Sequence, residues 1–130
     1  MRILNARVHS LLDVAFALAF AFGPLVFGLG GSPAVVSFIL ALVFVALAAT
    51  LWWGRRREAG TVAVPHGLVE LAIAVFLAVL PRIDGYSPGS PARTFVWSMA
   101  IAVAIVWLLT AYGETRTALG RASGQPASRP

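Results

Sequence analysis

The sequence predicts an all-α fold: an integral membrane four-helix bundle built from two tandem, parallel two-helix repeats with both termini cytoplasmic. Three observations carry this. The first is composition. The chain has 130 residues, 59% hydrophobic and only 12% charged, whereas a soluble domain carries about 25% charged residues. The second is block structure. Residues 11–27, 35–53, 71–80 and 95–112 contain Asp13 as their only charged side chain, and a bilayer-spanning helix needs roughly 17–25 mostly apolar residues. The third is self-similarity. Residues 9–28 read HSLLDVAFALAFAFGPLVFG, and residues 66–85, at an offset of 57, read HGLVELAIAVFLAVLPRIDG. Alanine matches are cheap in apolar segments. The informative ones are His9 with His66, Asp13 with Glu70, Pro24 with Pro81 and Gly28 with Gly85, because a fixed-period repeat marks a duplicated structural unit.

The elements follow in order. The first helix is expected over residues 8–27, with Pro24 near its far end, where a lost backbone bond is most easily tolerated. Residues 29–33 form an uncharged Gly/Ser/Pro turn. The second helix covers residues 34–53 and completes repeat 1 (residues 8–53). A connector over 54–60 holds Arg55, Arg56 and Arg57. The third helix starts near Val62 or at Pro65, proline being well suited to a first helical position, and ends near Leu80, before Pro81. A longer loop spans residues 82–93. Within it Ser90-Pro91-Ala92 echoes Ser32-Pro33-Ala34 at an offset of 58. The fourth helix covers residues 94–112, completing repeat 2 (residues 65–112). The transmembrane domain is thus residues 1–115. Residues 116–130, rich in Arg, Ser, Pro and Gly, read as a disordered cytoplasmic tail.

Orientation follows from arginine counts. Arg2, Arg7, Arg55, Arg56, Arg57, Arg116, Arg121 and Arg129 fall on one side, against Arg82 and Arg93 on the other, which places the termini and central connector in the cytoplasm. Two crossings per repeat then give parallel repeats, related by an axis along the membrane normal. Trp52, Trp53, Tyr112 and Tyr86 sit at interfacial belt positions. The first apolar run is longer than a signal-peptide core of about 7–15 residues and recurs in mid-chain, so it reads as a retained helix in the plasma (inner) membrane. The net charge of +5 lies in membrane-flanking loops, where topology explains it without nucleic acid. With no cysteine, disulfides, thiolate metal sites and cysteine nucleophiles are excluded. No phosphate-binding glycine loop, HExxH or GxSxG occurs, and the connectors are too short for an active site outside the membrane. The chain reads as a non-enzyme.

The Asp13/Pro24/Gly28 and Glu70/Pro81/Gly85 pattern resembles the SPW repeat family of small bacterial membrane proteins. Their two-helix unit carries a Ser-Pro-Trp motif late in its first helix, an acidic or amide residue near that helix's start and a following glycine. Here the motif reads Gly23-Pro24-Leu25 and Leu80-Pro81-Arg82, without its serine or tryptophan. The resemblance covers about residues 8–112. It implies a tandem-repeat membrane fold and transfers no functional residue.

The candidate intramembrane polar site is His9, Asp13, His66 and Glu70. A spacing of four puts each His and its acid on one helix face. Phe16, Phe20 and Pro24 extend one stripe, and Ile73, Leu77 and Pro81 the other. A carboxylate in the bilayer is costly and usually faces the bundle interior, so the acids are expected inward and at least one His at the interface. The preferred reading is structural: helix starts, register and packing in an accessory membrane protein of unknown activity, partnered by lipid and by itself or a larger complex. The second is a small proton-coupled permease or carrier, since a carboxylate beside His can pass a proton. The third is a haem- or divalent-metal-binding protein, although no cofactor is expected. Pro24, Gly28, Pro81 and Gly85 are helix-end motifs, and Arg55, Arg56 and Arg57 are placed at lipid headgroups. The absence of GxxxG within the helices argues against a glycophorin-like dimer.

Overall fold

The computed structural model describes residues 6–54 and 63–123, with side chains described for 8–50 and 66–110. It is all-α: α1 (Ala6–Val26), α2 (Ser32–Gly54), α3 (Ala63–Ile83) and α4 (Pro91–Ser123). All four are long and apolar enough to cross a membrane. Helix is the only structure open to such segments in lipid, because it satisfies every backbone N–H and C=O within the segment.

Each short loop folds its pair of helices into a hairpin, α1 on α2 and α3 on α4. The hairpins meet along α1 and α4. Phe20, late in α1, and Phe27, just past its end, touch Phe95 at the start of α4. His9, early in α1, meets Thr110 far along α4. Helices α1 and α4 are therefore antiparallel. Since α3 is antiparallel to α4 through its own hairpin, α1 and α3 run in the same direction.

The two prolines and two glycines that match in sequence do one job at the two equivalent helix ends. Gly28 has φ +60° and Gly85 φ +68°, the left-handed region that glycine alone enters without Cβ strain. Beyond each, the chain reverses: the Leu29 N–H donates to the Pro24 carbonyl at 2.8 Å, and the Tyr86 N–H to the Pro81 carbonyl at 3.0 Å. These six-to-one bonds are Schellman caps, and they bring an apolar residue back against the helix. Leu29 and Tyr86 fill that role, both packed against the core. Tyr86 is thus a cap residue just past the end of α3. Helix α3 does not stop at Leu80. It runs through Pro81 to Ile83, because a proline three residues from a helix end loses only one bond and its carbonyl is taken by the cap.

The core is a column of Phe16, Phe20, Phe44, Leu77, Phe95, Val96 and Val103, with Phe20, Phe44 and Leu77 fully enclosed. Stacked and edge-on rings join the helices, Phe20 on Phe44 at 5.7 Å and on Phe95 at 6.0 Å. Lipid tails are as apolar as these side chains, so association rests on close packing. Buried Ala17, Ala41, Ala48, Ala74 and Ala100 let the backbones approach. Large apolar residues such as Leu11, Leu25, Leu42 and Ile101 point outward and are mostly exposed, as lipid requires and water would punish. In α2 and α4 the buried positions correspond at an offset of 59: Ser37 with Val96, Leu40 with Met99, Ala41 with Ala100, Phe44 with Val103, and Leu47 with Val106. The Ser-Pro-Ala echo at offset 58 is therefore one residue out of step with the packing. The first backbone bonds of the two helices agree with 59, Val35 N–H to Gly31 C=O and Thr94 N–H to Ser90 C=O.

Helix α4 also differs from expectation at its end. It continues to Ser123, where a helix ending at residue 112 and a disordered tail over 116–130 were expected. Glu114, Arg116, Ala118, Leu119, Arg121 and Ala122 are good helix formers, and extending a formed helix needs no new nucleus. Residues 124–130 and the arginine connector, with Arg55, Arg56 and Arg57, lie outside the described residues, as do the side chains of Trp52, Trp53 and Tyr112.

Candidate functional site: a buried histidine–carboxylate cluster

Helices α1 and α3 each bring one imidazole and one carboxylate, four residues apart, to their inner face near the helix start. All four side chains are enclosed: His9 is 6% exposed, Asp13 0%, His66 5% and Glu70 1%. The acids face inward as expected. The expectation of a histidine at the interface is corrected. Parallel α1 and α3 direct both rings to one point on the bundle axis, where each finds the other helix's polar groups in place of headgroups.

The pairing crosses between hairpins. His9 Nε2 stands 3.2 Å from Glu70 Oε1, and His66 Nε2 stands 3.4 Å from Asp13 Oδ2. His66 also reaches Glu70 Oε1 of its own helix at 3.6 Å. The two Nε2 atoms lie 3.1 Å apart, with ring centroids at 5.1 Å. Asp13 lies five residues beyond Val8, where the apolar span begins, a depth of about 8 Å at 1.5 Å per residue. The cluster is therefore inside the membrane span but close to one end.

Thr110 sets the tautomer of His9. Its hydroxyl donates to the Val106 carbonyl at 2.9 Å. Having spent its single proton, the hydroxyl accepts from His9 Nδ1–H at 3.1 Å. A neutral His9 then presents an Nε2 lone pair to the cluster. Opposite it, only one proton fits between the two Nε2 atoms, so one imidazole donates to the other. The remaining polar atoms are poorly served. Asp13 Oδ1, Asp13 Oδ2, Glu70 Oε1 and His66 Nδ1 are buried without a hydrogen-bond partner among the described residues. Buried polar groups are nearly always bonded, and an unpaired one costs about 1–3 kcal/mol, more when charged.

Towards the other end of the bundle the interior is Phe16, Phe20, Phe44, Leu77 and Phe95. Ser37, also buried, is spent on the Pro33 carbonyl at 2.7 Å. At that end the Arg93 guanidinium lies over the Trp97 ring, 4.3 Å from its centroid, and Ser90 Oγ accepts the Arg93 N–H at 3.3 Å as an N-cap. Burial, with the Asp84 carboxylate nearby, pushes the Tyr86 phenol above its ordinary range.

Sequence spacing located all four cluster residues. It missed Thr110, for which a lone threonine late in an apolar helix carries no distinguishing signal. The haem alternative does not fit this geometry. Two axial imidazoles stand about 4 Å apart across an iron, twice a metal–nitrogen bond of about 2.0 Å, with a flat macrocycle between them, whereas these nitrogens are at hydrogen-bond distance. Comparison with known protein families, with characterised proteins and with solved structures finds no match for this chain.

Proposed function

We propose that this is a multi-pass plasma-membrane protein of two tandem, parallel two-helix repeats, with its termini and central connector in the cytoplasm. It acts as a structural or accessory subunit by helix packing with itself or a larger membrane complex, and not as an enzyme. The resemblance to the SPW repeat family belongs to this reading. Support comes from the common direction of α1 and α3 and from the equivalent caps at Gly28 and Gly85.

One observation favours the accessory role over a carrier. Beyond the cluster the interior is closed by fully buried Phe20, Phe44 and Leu77, and no other buried titratable side chain occurs among the described residues to continue a polar path. Carriers bind near the membrane midplane at helix breaks. This cluster sits near one end, on unbroken helices. The test pairs two measurements on the full chain: proton flux into proteoliposomes loaded with a pH-sensitive dye, and cross-linking in native membranes. The accessory role predicts liposome-background flux and a stoichiometric cross-linked partner or self-oligomer. Flux above background that disappears in Asp13→Asn would overturn it.

A further inference from the structure

We propose that His9, Asp13, His66 and Glu70 form a binding site for a divalent transition metal of the zinc class, held in four-coordinate geometry between the two hairpins. This goes beyond the accessory role and does not depend on it. It requires only that the four side chains meet as the bundle places them.

Three independent features point to a cation. The first is the donor set. Two imidazoles and two carboxylates suit zinc and its first-row neighbours, whereas calcium and magnesium prefer oxygen alone. The second is spacing. Metal–nitrogen and metal–oxygen bonds of about 2.0–2.2 Å give a tetrahedron edge about 1.63 times as long, or roughly 3.3–3.6 Å. Four of the six edges here measure 3.1, 3.2, 3.4 and 3.6 Å, and all four donor atoms lie within 4.8 Å of one another. The third is unmet demand. Asp13 Oδ2 and Glu70 Oε1 are fully enclosed, and among the described residues only the imidazole nitrogens face them as possible donors. Each stands at ion-pair distance from an imidazole nitrogen, which binds a metal once unprotonated.

Charge supports the same conclusion. Two carboxylates and two neutral imidazoles sum to −2, which a divalent ion cancels, and a neutral assembly is the least costly one to bury in hydrocarbon. The outer shell is prepared on one side. Metal-bound histidine almost always donates its other N–H to a fixed acceptor, and Thr110 is that acceptor for His9. Position supplies access, since the cluster lies about two helical turns from one end of the bundle. The ion would link α1 to α3, each hairpin contributing one His and one acid.

The test uses the full chain in detergent micelles, stripped with chelator and titrated with Zn²⁺ or with Co²⁺ as a spectroscopic substitute. The expected result is one equivalent bound, with the intense visible absorption of four-coordinate Co²⁺ and a rise in melting temperature that grows with metal concentration, as binding to the folded state alone requires. His66→Gln and Asp13→Asn should abolish the Co²⁺ band. Thr110→Val, which removes an orienting contact but no ligand, should weaken Zn²⁺ binding about 10–100-fold while leaving helix content intact, and it keeps the test valid if a ligand variant fails to fold. Wild-type protein, folded by circular dichroism, that takes up no saturable Co²⁺ would overturn the proposal. So would Co²⁺ uptake that is six-coordinate or unchanged in Thr110→Val and Asp13→Asn.

Discussion

Gly23 and Gly67 offer a matched pair of substitutions in the same fold. Both lie inside helices, Gly23 in α1 and Gly67 in α3, so alanine at either gains about 0.8–1.0 kcal/mol of intrinsic helix propensity. Their surroundings differ. A Cβ at Gly67 would meet only Trp107 Nε1 at 3.7 Å, an ordinary contact. A Cβ at Gly23 would drive into the Phe95 ring, against Cζ and against Cε2 at 2.5 Å. That ring cannot simply swing away. It is 5% exposed and is held between Phe20 at 6.0 Å and Phe27 at 5.3 Å. Overpacking a filled core costs typically about 1–3 kcal/mol. The intrinsic gain cancels between the two variants, so Gly23→Ala should be less stable than Gly67→Ala by about 1–3 kcal/mol, with wild type between them or level with Gly23→Ala. The assay is denaturant or thermal unfolding in micelles, followed by circular dichroism. Phe95→Leu supplies the coupling control: in its background the Gly23→Ala penalty should largely disappear, as contacting residues depart from additivity. Equal stability of the two alanine variants, or strict additivity with Phe95→Leu, would refute the packing of α1 on α4.

Four other outcomes follow. Gly28→Ala and Gly85→Ala face open space, so only the left-handed backbone is penalised; each should lower stability by about 1–2 kcal/mol, measured in the same unfolding assay. Ser90→Ala removes the α4 N-cap bond and should cost about 0.5–1 kcal/mol. With metal bound, Glu70→Gln alone breaks a buried ionic set, a loss of about 3–5 kcal/mol; replacing all four cluster residues by apolar ones of similar volume should restore most of that stability while eliminating Co²⁺ uptake. Metal uptake should weaken as pH is lowered, because imidazole nitrogen and carboxylate bind metal only when unprotonated; equal Zn²⁺ affinity at acidic and neutral pH would contradict this.

Much of the fold was legible because lipid leaves few choices. Four apolar blocks with a single charge among them can satisfy their backbones only as helices, and the stripe His9, Asp13, Phe16, Phe20, Pro24 is the buried face of α1, as is its counterpart in α3. The boundaries were less legible. Pro81 reads as a stop, yet its role is set by the Tyr86 N–H returning to its carbonyl, a contact that depends on Gly85 adopting positive φ. The 59-residue register of α2 and α4 was obscured by a Ser-Pro-Ala match at 58, since small turn residues recur easily while packing follows helix faces.

The cluster was half legible. A spacing of four showed that each acid and imidazole share a face, and the matching His and acid at offset 57 drew attention to them together. It could not show that His9 reaches Glu70 and His66 reaches Asp13 across the hairpins. That crossing depends on how far each helix is rotated, which Phe44 and Phe95 set by packing between α1 and its neighbours. A polar side chain near a helix start is ambiguous in sequence, since it lies equally near headgroups and bundle interior. Rotation of the helix decides between them.

The central claim is that the two imidazoles meet inside the bundle, and the chain suits a direct test because it has only two histidines. Selective ¹⁵N-histidine labelling gives a magnetic-resonance spectrum containing His9 and His66 alone. The structure requires a ¹⁵N–¹⁵N correlation between their Nε2 nuclei, 3.1 Å apart, with ring protons shielded from solvent exchange. Two uncorrelated imidazoles in rapid exchange with water would contradict it.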